Sequence, residues 1–551
     1  MFAPLFLPIR FGKITFMSFR KTVSVFLLAI LIVSCAPATE EPATFPTYNP
    51  FVSTNGATLP PNSNVAVTTP LSSETVIPSA TSTRPPTPTR VPLNISSLIG
   101  VQSQIISGSP TPDTARVLPT PRQDADQYVV QAGDTLGAIA QRYNITLQTL
   151  MDANGITDPN ALEVGMTLNI PAAQVTVSSG QSLKIIPDSE LVNGPATAKF
   201  SLRNFIASQN GYLNYYTQDV NGTLLNGADI IEAVSYNYSV NPRILLALLE
   251  YQSGWVTNPT PTNTDYPMGY YDEARAGLYR QVVWAANTLN RGYYLWKANG
   301  LSTWVLTDGQ IIPIDPTINA GTAAVQYFFS QLYGYDAWQY ATSQTGVVVT
   351  YFVLFENPFN YAIEPLIPAT LTQPQMSLPF AAGESWYFTG GPHGAWDSGS
   401  AWGALDFAPP DNSGGCNISS SWVTAIADGL VTRTGTGSVY QDLDNDGYEQ
   451  TGWVIIYMHV ASAGRVTPGE YLFRNEKVGH PSCEGGISNA THVHITRKYN
   501  GEWIAADGPY PWNLDGWISS GTGYEYDGFL TRNGVSIEAL DAAQPANLIS
   551  R

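Results

Sequence analysis

The chain's five histidines all fall late in the sequence, and two of them share the run Thr491-His492-Val493-His494-Ile495-Thr496. Its β-branched residues favour a strand. On a strand, positions i and i+2 point to the same face, so both imidazoles look into one site. One imidazole can hold a metal ion while its neighbour carries a proton, since histidine is both a common metal ligand and a proton shuttle near neutral pH. With His393, Asp406 and His459 upstream, this pattern calls for a β scaffold around a zinc site of hydrolytic type.

A length of 551 residues suggests three or four domains. The net charge of −18 argues against nucleic acid as a partner, because phosphate binding needs basic surface. The 30 tyrosines and 13 tryptophans are read mainly as core, with some suited to stacking on sugars.

Residues 1–34 read as an export signal. Arg20-Lys21 precedes the apolar run Val23 to Val33, which is too short to span a bilayer but suits a signal sequence. Met17 offers a second start, followed directly by a basic segment. Ile32-Val33-Ser34-Cys35 resembles a bacterial lipobox. That resemblance implies cleavage before Cys35, a lipid on its sulfur, and an exported protein anchored to a membrane on its extracytoplasmic side. Residues 35–125 are rich in Pro, Ser and Thr, as in Thr83-Arg84-Pro85-Pro86-Thr87-Pro88, and read as an extended disordered tether.

Residues 126–172 show the order β-α-α-β. A strand at Tyr128-Val129-Val130 leads to a Gly-Asp-Thr turn. Two helices follow, opened by Thr135 and Thr146, the second closed by Gly155, and Gly165 to Pro171 forms a closing strand. This resembles the LysM module, which binds N-acetylglucosamine-containing glycans such as peptidoglycan. The resemblance implies a groove formed by Asp134, Thr135, Leu136, Gly155, Ile156 and Thr157.

Residues 173–375 read as mainly helical. The helix Ile244 to Ser253 follows Asn241-Pro242 and ends at Gly254; others run from Leu278 and from Thr322. This part resembles the lysozyme-like fold of soluble lytic transglycosylases. The family's catalytic glutamate falls on Gln252 here, and an amide cannot act as the acid. The expectation is therefore a domain that holds glycan without cutting it. The alternative is that Glu250 serves as the general acid from a shifted helix end.

Residues 376–551 read as all-β, with short apolar strands between glycine-rich turns. Gly391-Pro392-His393-Gly394, Ala404-Leu405-Asp406-Phe407, Tyr457-Met458-His459 and Thr491-His492-Val493-His494 together resemble the zinc peptidases of the lysostaphin and β-lytic families. His393 lies thirteen residues before Asp406, as in the β-lytic branch, and Trp402 occupies the position the lysostaphin branch gives to histidine. The resemblance implies that His393, Asp406 and His494 hold zinc, that His492 moves the proton, and that His459 bonds the developing oxyanion. His480 is read as structural. Cys416 and Cys483, both exported, are expected to form a disulfide. Asp442-Leu443-Asp444-Asn445-Asp446-Gly447 looks like the start of a calcium loop, but Trp453 stands where the twelfth-position glutamate belongs, so a polar hairpin turn is expected.

The sequence thus points to a multidomain protein: disordered tether, βααβ LysM, mainly α lysozyme-like domain and all-β zinc peptidase. The expected activity is zinc-dependent cleavage of peptide stem or cross-bridge bonds in peptidoglycan. Two rival readings stand beside it. One is a non-catalytic lipoprotein that activates a wall amidase; the other is a transglycosylase acting through Glu250.

Overall fold

The computed structural model describes residues 111–120, 124–131, 134–143, 145–172, 180–411 and 415–551. The expected export signal and Cys35 lie outside the described residues, as does most of the expected tether. No helix among the described residues is long and apolar enough to cross a membrane.

The first folded segment pairs strand β1 (Asp126–Val129) antiparallel with β2 (Thr167–Ile170) around helices α1 (Leu136–Arg142) and α2 (Leu147–Asn154). Thr146 caps α2 through its hydroxyl, and Gly155 ends the helix with φ of 64°. That left-handed conformation is easy for glycine and strained for other residues. The segment has its own core, including Val130, Leu136, Ile139, Leu150, Leu168 and Ile170.

Seven helices follow: α3 (Leu202–Gln209), α4 (Gly227–Tyr238), α5 (Pro242–Ser253), α6 (Leu278–Lys297), α7 (Ala320–Ser330), α8 (Tyr335–Ala341) and α9 (Val347–Phe355). Hairpins β3 (Thr217–Val220)–β4 (Thr223–Asn226) and β5 (Thr303–Val305)–β6 (Ile311–Pro313) interrupt them. Helix starts are set locally. Asn226 and Asp229 form a reciprocal capping box on α4, and Asn241 caps α5 with Pro242 in its first turn. A buried ion pair, Glu190 with Arg243, ties the entry segment to α5.

The β part begins with β7 (Ser385–His393) and β8 (Ala404–Ala408). It continues through β9 (Val423–Thr424), β10 (Gly429–Gly435), β11 (Ser438–Asp442), β12 (Trp453–Met458), β13 (Tyr471–Leu472), β14 (Lys477–Gly479), β15 (Val493–Tyr499), β16 (Glu502–Trp503), β17 (Asn513–Leu514), β18 (Trp517–Gly521), β19 (Gly528–Arg532), β20 (Val535–Glu538) and β21 (Leu548–Ser550). The large sheet is antiparallel, in the order β13-β10-β11-β12-β15-β8-β7-β21, with β16 on β15. A four-stranded sheet, β17-β18-β19-β20, adds Leu514, Trp517 and Leu530 to the same β core. The run Ala425 to Arg433 bends between β9 and β10.

Strand β12 shows how the helical and β parts are joined. All six residues, Trp-Val-Ile-Ile-Tyr-Met, are buried. Ile455 and Tyr457 point into the β core. Val454, Ile456 and Met458, on the opposite face, belong to the core built mainly by the helices. A strand covered on both faces has no solvent side, so its sequence is apolar without alternation. Buried polar contacts reinforce the seam. Arg433 reaches Asn237 of α4 at 2.9 Å, and Glu502 accepts from Lys297 and Tyr293 of α6.

Candidate metal centre

The site lies on the sheet face that also carries Val454, Ile456 and Met458. Three adjacent strands set its register: Met458 on β12 faces His494 on β15, which faces Asp406 on β8. Leu405 and Phe407 turn into the β core, so Asp406 turns the other way. His393 ends β7, opposite Ala404, after a double irregularity at Gly390. A side chain at Gly390 would meet the Asp406 carboxylate at 2.6 Å, so glycine is required for the carboxylate to sit there.

The donor atoms converge. His393 Nε2 is 3.0 Å from His494 Nδ1 and 3.4 Å from Asp406 Oδ1, and His494 Nδ1 is 3.3 Å from that oxygen. Tetrahedral ligands at about 2.0–2.1 Å from zinc stand about 3.3 Å from each other. The remaining ring nitrogens are committed elsewhere: His393 Nδ1 to the Gly391 carbonyl at 2.8 Å, and His494 Nε2 to the Ala395 carbonyl at 3.2 Å. A carbonyl accepts only from N–H, so each ring presents a lone pair to the centre. Asp406 Oδ1 is buried and takes no hydrogen bond. Two imidazole lone pairs facing an unsatisfied carboxylate oxygen fit a cation and fit little else. Among the described residues, the other grouping of potential ligands is Asp442, Asp444 and Asp446, in the β11–β12 hairpin.

Charge follows the same geometry. Burial works against the Asp406 carboxylate, but the imidazoles of His393 and His492 outweigh it and hold Asp406 well below the usual carboxylate range. The two rings beside it move in opposite directions. For His393 the carboxylate overcomes burial and the ring is raised, whereas for His494 burial dominates, with His393 adding to it, and the ring is lowered.

His492 and His459 stand at the rim, their rings 4.5 Å apart. His492 Nδ1 meets the Ala490 carbonyl at 2.8 Å, and its Nε2 lies 3.8 Å from Asp406 Oδ1. His459 Nδ1 meets the Glu484 carbonyl at 3.3 Å. Burial, with the two neighbouring histidines, pushes His459 down to about 3, so it is neutral at physiological pH. A neutral ring whose Nδ1–H is so used offers a lone pair at Nε2. To donate to an oxyanion His459 must therefore carry its proton on Nε2 instead of Nδ1, a condition the sequence did not reveal.

Tyr526 was missed by the sequence reading. Its ring stacks on His393 at 4.2 Å, in a left-handed backbone conformation (φ 66°). The run Gly523-Tyr-Glu-Tyr-Asp-Gly528 carries turn residues and nothing that singles out Tyr526. His480 stands apart, bonded to the Ser421 carbonyl and packed on Trp422. Cys416 and Cys483 are joined, bracing the loops before β9 and after β14.

Elsewhere, both Glu250 oxygens are occupied by Val256 N–H, Thr257 N–H and the Thr257 hydroxyl. The carboxylate thus fastens the turn after α5. Gln252 accepts from the Tyr333 hydroxyl at 2.6 Å. In the LysM segment, Asp134 is tied to Tyr128 and Gln131 N–H, and Leu136 is buried in the core. Thr135, Gly155 and Thr157 are exposed and Ile156 is half-buried, while Leu136 only supports the turn.

Comparison with known proteins agrees with this layout. Residues 128–171 match the family LysM domain, and residues 184–369 match the family LasA, N-terminal domain. The second match covers the region read above as lysozyme-like. Protease LasA of Pseudomonas aeruginosa is 26% identical over 314 residues, spanning 53% of this chain and 71% of that protein. The beta-lytic metalloendopeptidase of Lysobacter enzymogenes is 29% identical over 171 residues, 29% of this chain and 89% of that protein. A solved structure, the metalloprotease pseudoalterin from the deep sea, is 27% identical, with 31% of this chain and 96% of that one covered and a TM-score of 0.26. The chain thus matches the LysM family over residues 128–171 and is similar to LasA and beta-lytic metallopeptidases over its helical and β parts.

Proposed function

We propose that this protein is a zinc-dependent endopeptidase that cuts peptide bonds in the stem or cross-bridge of peptidoglycan. The convergence of His393, Asp406 and His494 on one unsatisfied carboxylate oxygen carries this reading. These three residues would hold the ion. Zinc supplies Lewis-acid activation of water and of the scissile carbonyl. His492 Nε2, with its lone pair toward the centre, takes the proton released from the attacking water and later gives it to the leaving amine. His459, neutral, donates to the oxyanion in its Nε2–H tautomer, giving up the 3.3 Å bond from Nδ1 to the Glu484 carbonyl. Burial of the trio keeps bulk water from competing for these bonds.

The remaining parts are read as delivery. The LysM groove, built from Asp134, Thr135, Gly155, Ile156 and Thr157, would hold glycan, and Cys35 would anchor the chain outside the cytoplasm. Residues 173–375 are read as a non-cutting domain, because Glu250 is committed to the loop it fastens and Gln252 cannot donate a proton in its place. The intact donor trio favours an enzyme over a non-catalytic activator of an amidase. Sacculus solubilisation by the purified full chain tests the proposal: it should require one zinc per chain, stop with a chelator and return with zinc. Zinc-loaded protein that leaves sacculi intact, while stimulating an added amidase, would support the activator instead.

A further inference from the structure

The loop 394–403 joins the first metal-ligand residue to the strand carrying the second, and it also serves the third. It starts after His393, ends before β8 with Asp406, and its Ala395 carbonyl meets His494 Nε2 at 3.2 Å. Its own backbone closes it at the base, where Ala395 N–H bonds to the Ala401 carbonyl at 2.9 Å. The tip is held by the helical part. Asn287 of α6 accepts from Gly399 N–H at 2.8 Å and donates to the Ser398 hydroxyl at 3.1 Å. The Tyr238 hydroxyl, at the end of α4, donates to Asp397 at 2.9 Å. Ala395 and Ala401 are buried within the helical core, and Trp396 packs against it. The fit leaves no slack, since a side chain at Gly399 would stand 2.0 Å from the Asn287 carbonyl oxygen.

A carbonyl that orients a metal-binding histidine fixes both the ring's tautomer and its direction, and such outer partners typically influence metal affinity about 10–100-fold. Here that carbonyl sits on a loop whose tip is gripped from another part of the chain. We propose that Asn287 and Tyr238 are positioning residues for the metal centre, acting through loop 394–403 on the Ala395 carbonyl and His494. The helical part then has a role beyond covering β12: it holds in register the loop that links the zinc donors. This rests on the reading of His393, Asp406 and His494 as zinc ligands.

The test is zinc affinity, measured on the full chain by competition with a chromophoric chelator, for Asn287→Ala, Tyr238→Phe and the double variant. Circular dichroism and thermal melting report the fold. The visible spectrum of the cobalt-loaded protein reports ligand geometry independently of activity. The double variant should bind zinc about tenfold more weakly and show altered cobalt bands. Asn287→Asp, which keeps the acceptor for Gly399 N–H, should recover most of the loss. Tyr293→Phe is the control: it removes a bond to Glu502 on the same seam, 3.2 Å in the parent, without touching the loop, and should stay within twofold of the parent. Should the double variant fail to fold, Tyr238→Phe alone, which loses one oxygen atom, carries the test with a shift of a few-fold. Double-variant affinity within twofold of the parent and unchanged cobalt bands would overturn the inference. So would a loss in Tyr293→Phe equal to that in the double variant, or no recovery in Asn287→Asp. If the parent chain binds no zinc at all, the ligand reading itself falls; if parent and double variant bind it equally, only the positioning role falls.

Discussion

At the scale of residues, the site divides into groups that hold and groups that move protons, and substitution should separate them. His393→Ala and His494→Ala should lose both zinc and cleavage, because a three-donor site holds zinc poorly with two donors. His492→Ala and His459→Ala should keep zinc, by elemental analysis, and lose about 10²–10⁴-fold in rate. Retained cleavage in His492→Ala would remove it from the proton path. The candidate histidines stood out in the sequence because histidine is rare in this chain, and His492 and His494 also by their strand-like spacing. The Ala395 carbonyl and Tyr526 did not. A main-chain acceptor leaves no mark on residue type, and Tyr526 reaches His393 only through the sheet and the turn that carries it. Nor could sequence show that Nδ1 of both rim histidines is taken by a carbonyl.

At the scale of elements, several helix positions followed from local signals: Thr146 and Asn241-Pro242 at the starts, and Gly155 and Gly254 at the stops. Strand β12 was recognisable as apolar, but not as shared by two cores, since that depends on which part lies over it. The β11–β12 hairpin yields a pH prediction. Burial, then the neighbouring Asp444, raises Asp442 to about 7. An aspartate raised in the folded state contributes stability below its ordinary pKa of about 4. That contribution shrinks as pH rises and is gone above about 7. Melting temperature in chelator-containing buffer should therefore fall from pH 4 to 7 by an amount that Asp442→Asn removes. Equal pH slopes for the two proteins would show that Asp442 titrates normally.

At the scale of the molecule, the helical and β parts share the apolar core around β12 and are tied by the Lys297–Glu502 ion pair, and the β side of the seam carries a buried ion group of its own. Glu449 is 4% exposed, bonded to Arg433 at 2.7 and 3.0 Å and 3.6 Å from Lys498. Those two cations outweigh burial and hold Glu449 below the usual range. Glu449→Gln leaves two buried cations uncompensated and should cost about 3–5 kcal/mol of unfolding free energy in denaturant titration; a loss under 1 kcal/mol would mean that water reaches the pair. The LysM segment, with a core of its own, should sediment with insoluble peptidoglycan when residues 126–172 are tested alone, and a fragment that stays in the supernatant would be only a spacer. The central claim is peptide-bond cleavage at the His393–Asp406–His494 centre. Mass spectrometry of the fragments released from purified sacculi by the zinc-loaded full chain tests it most directly. The account predicts new peptide termini with glycan strands intact, absent in His492→Ala. Anhydro-sugar or new reducing ends, or no released fragments from any cross-bridge type, would contradict it.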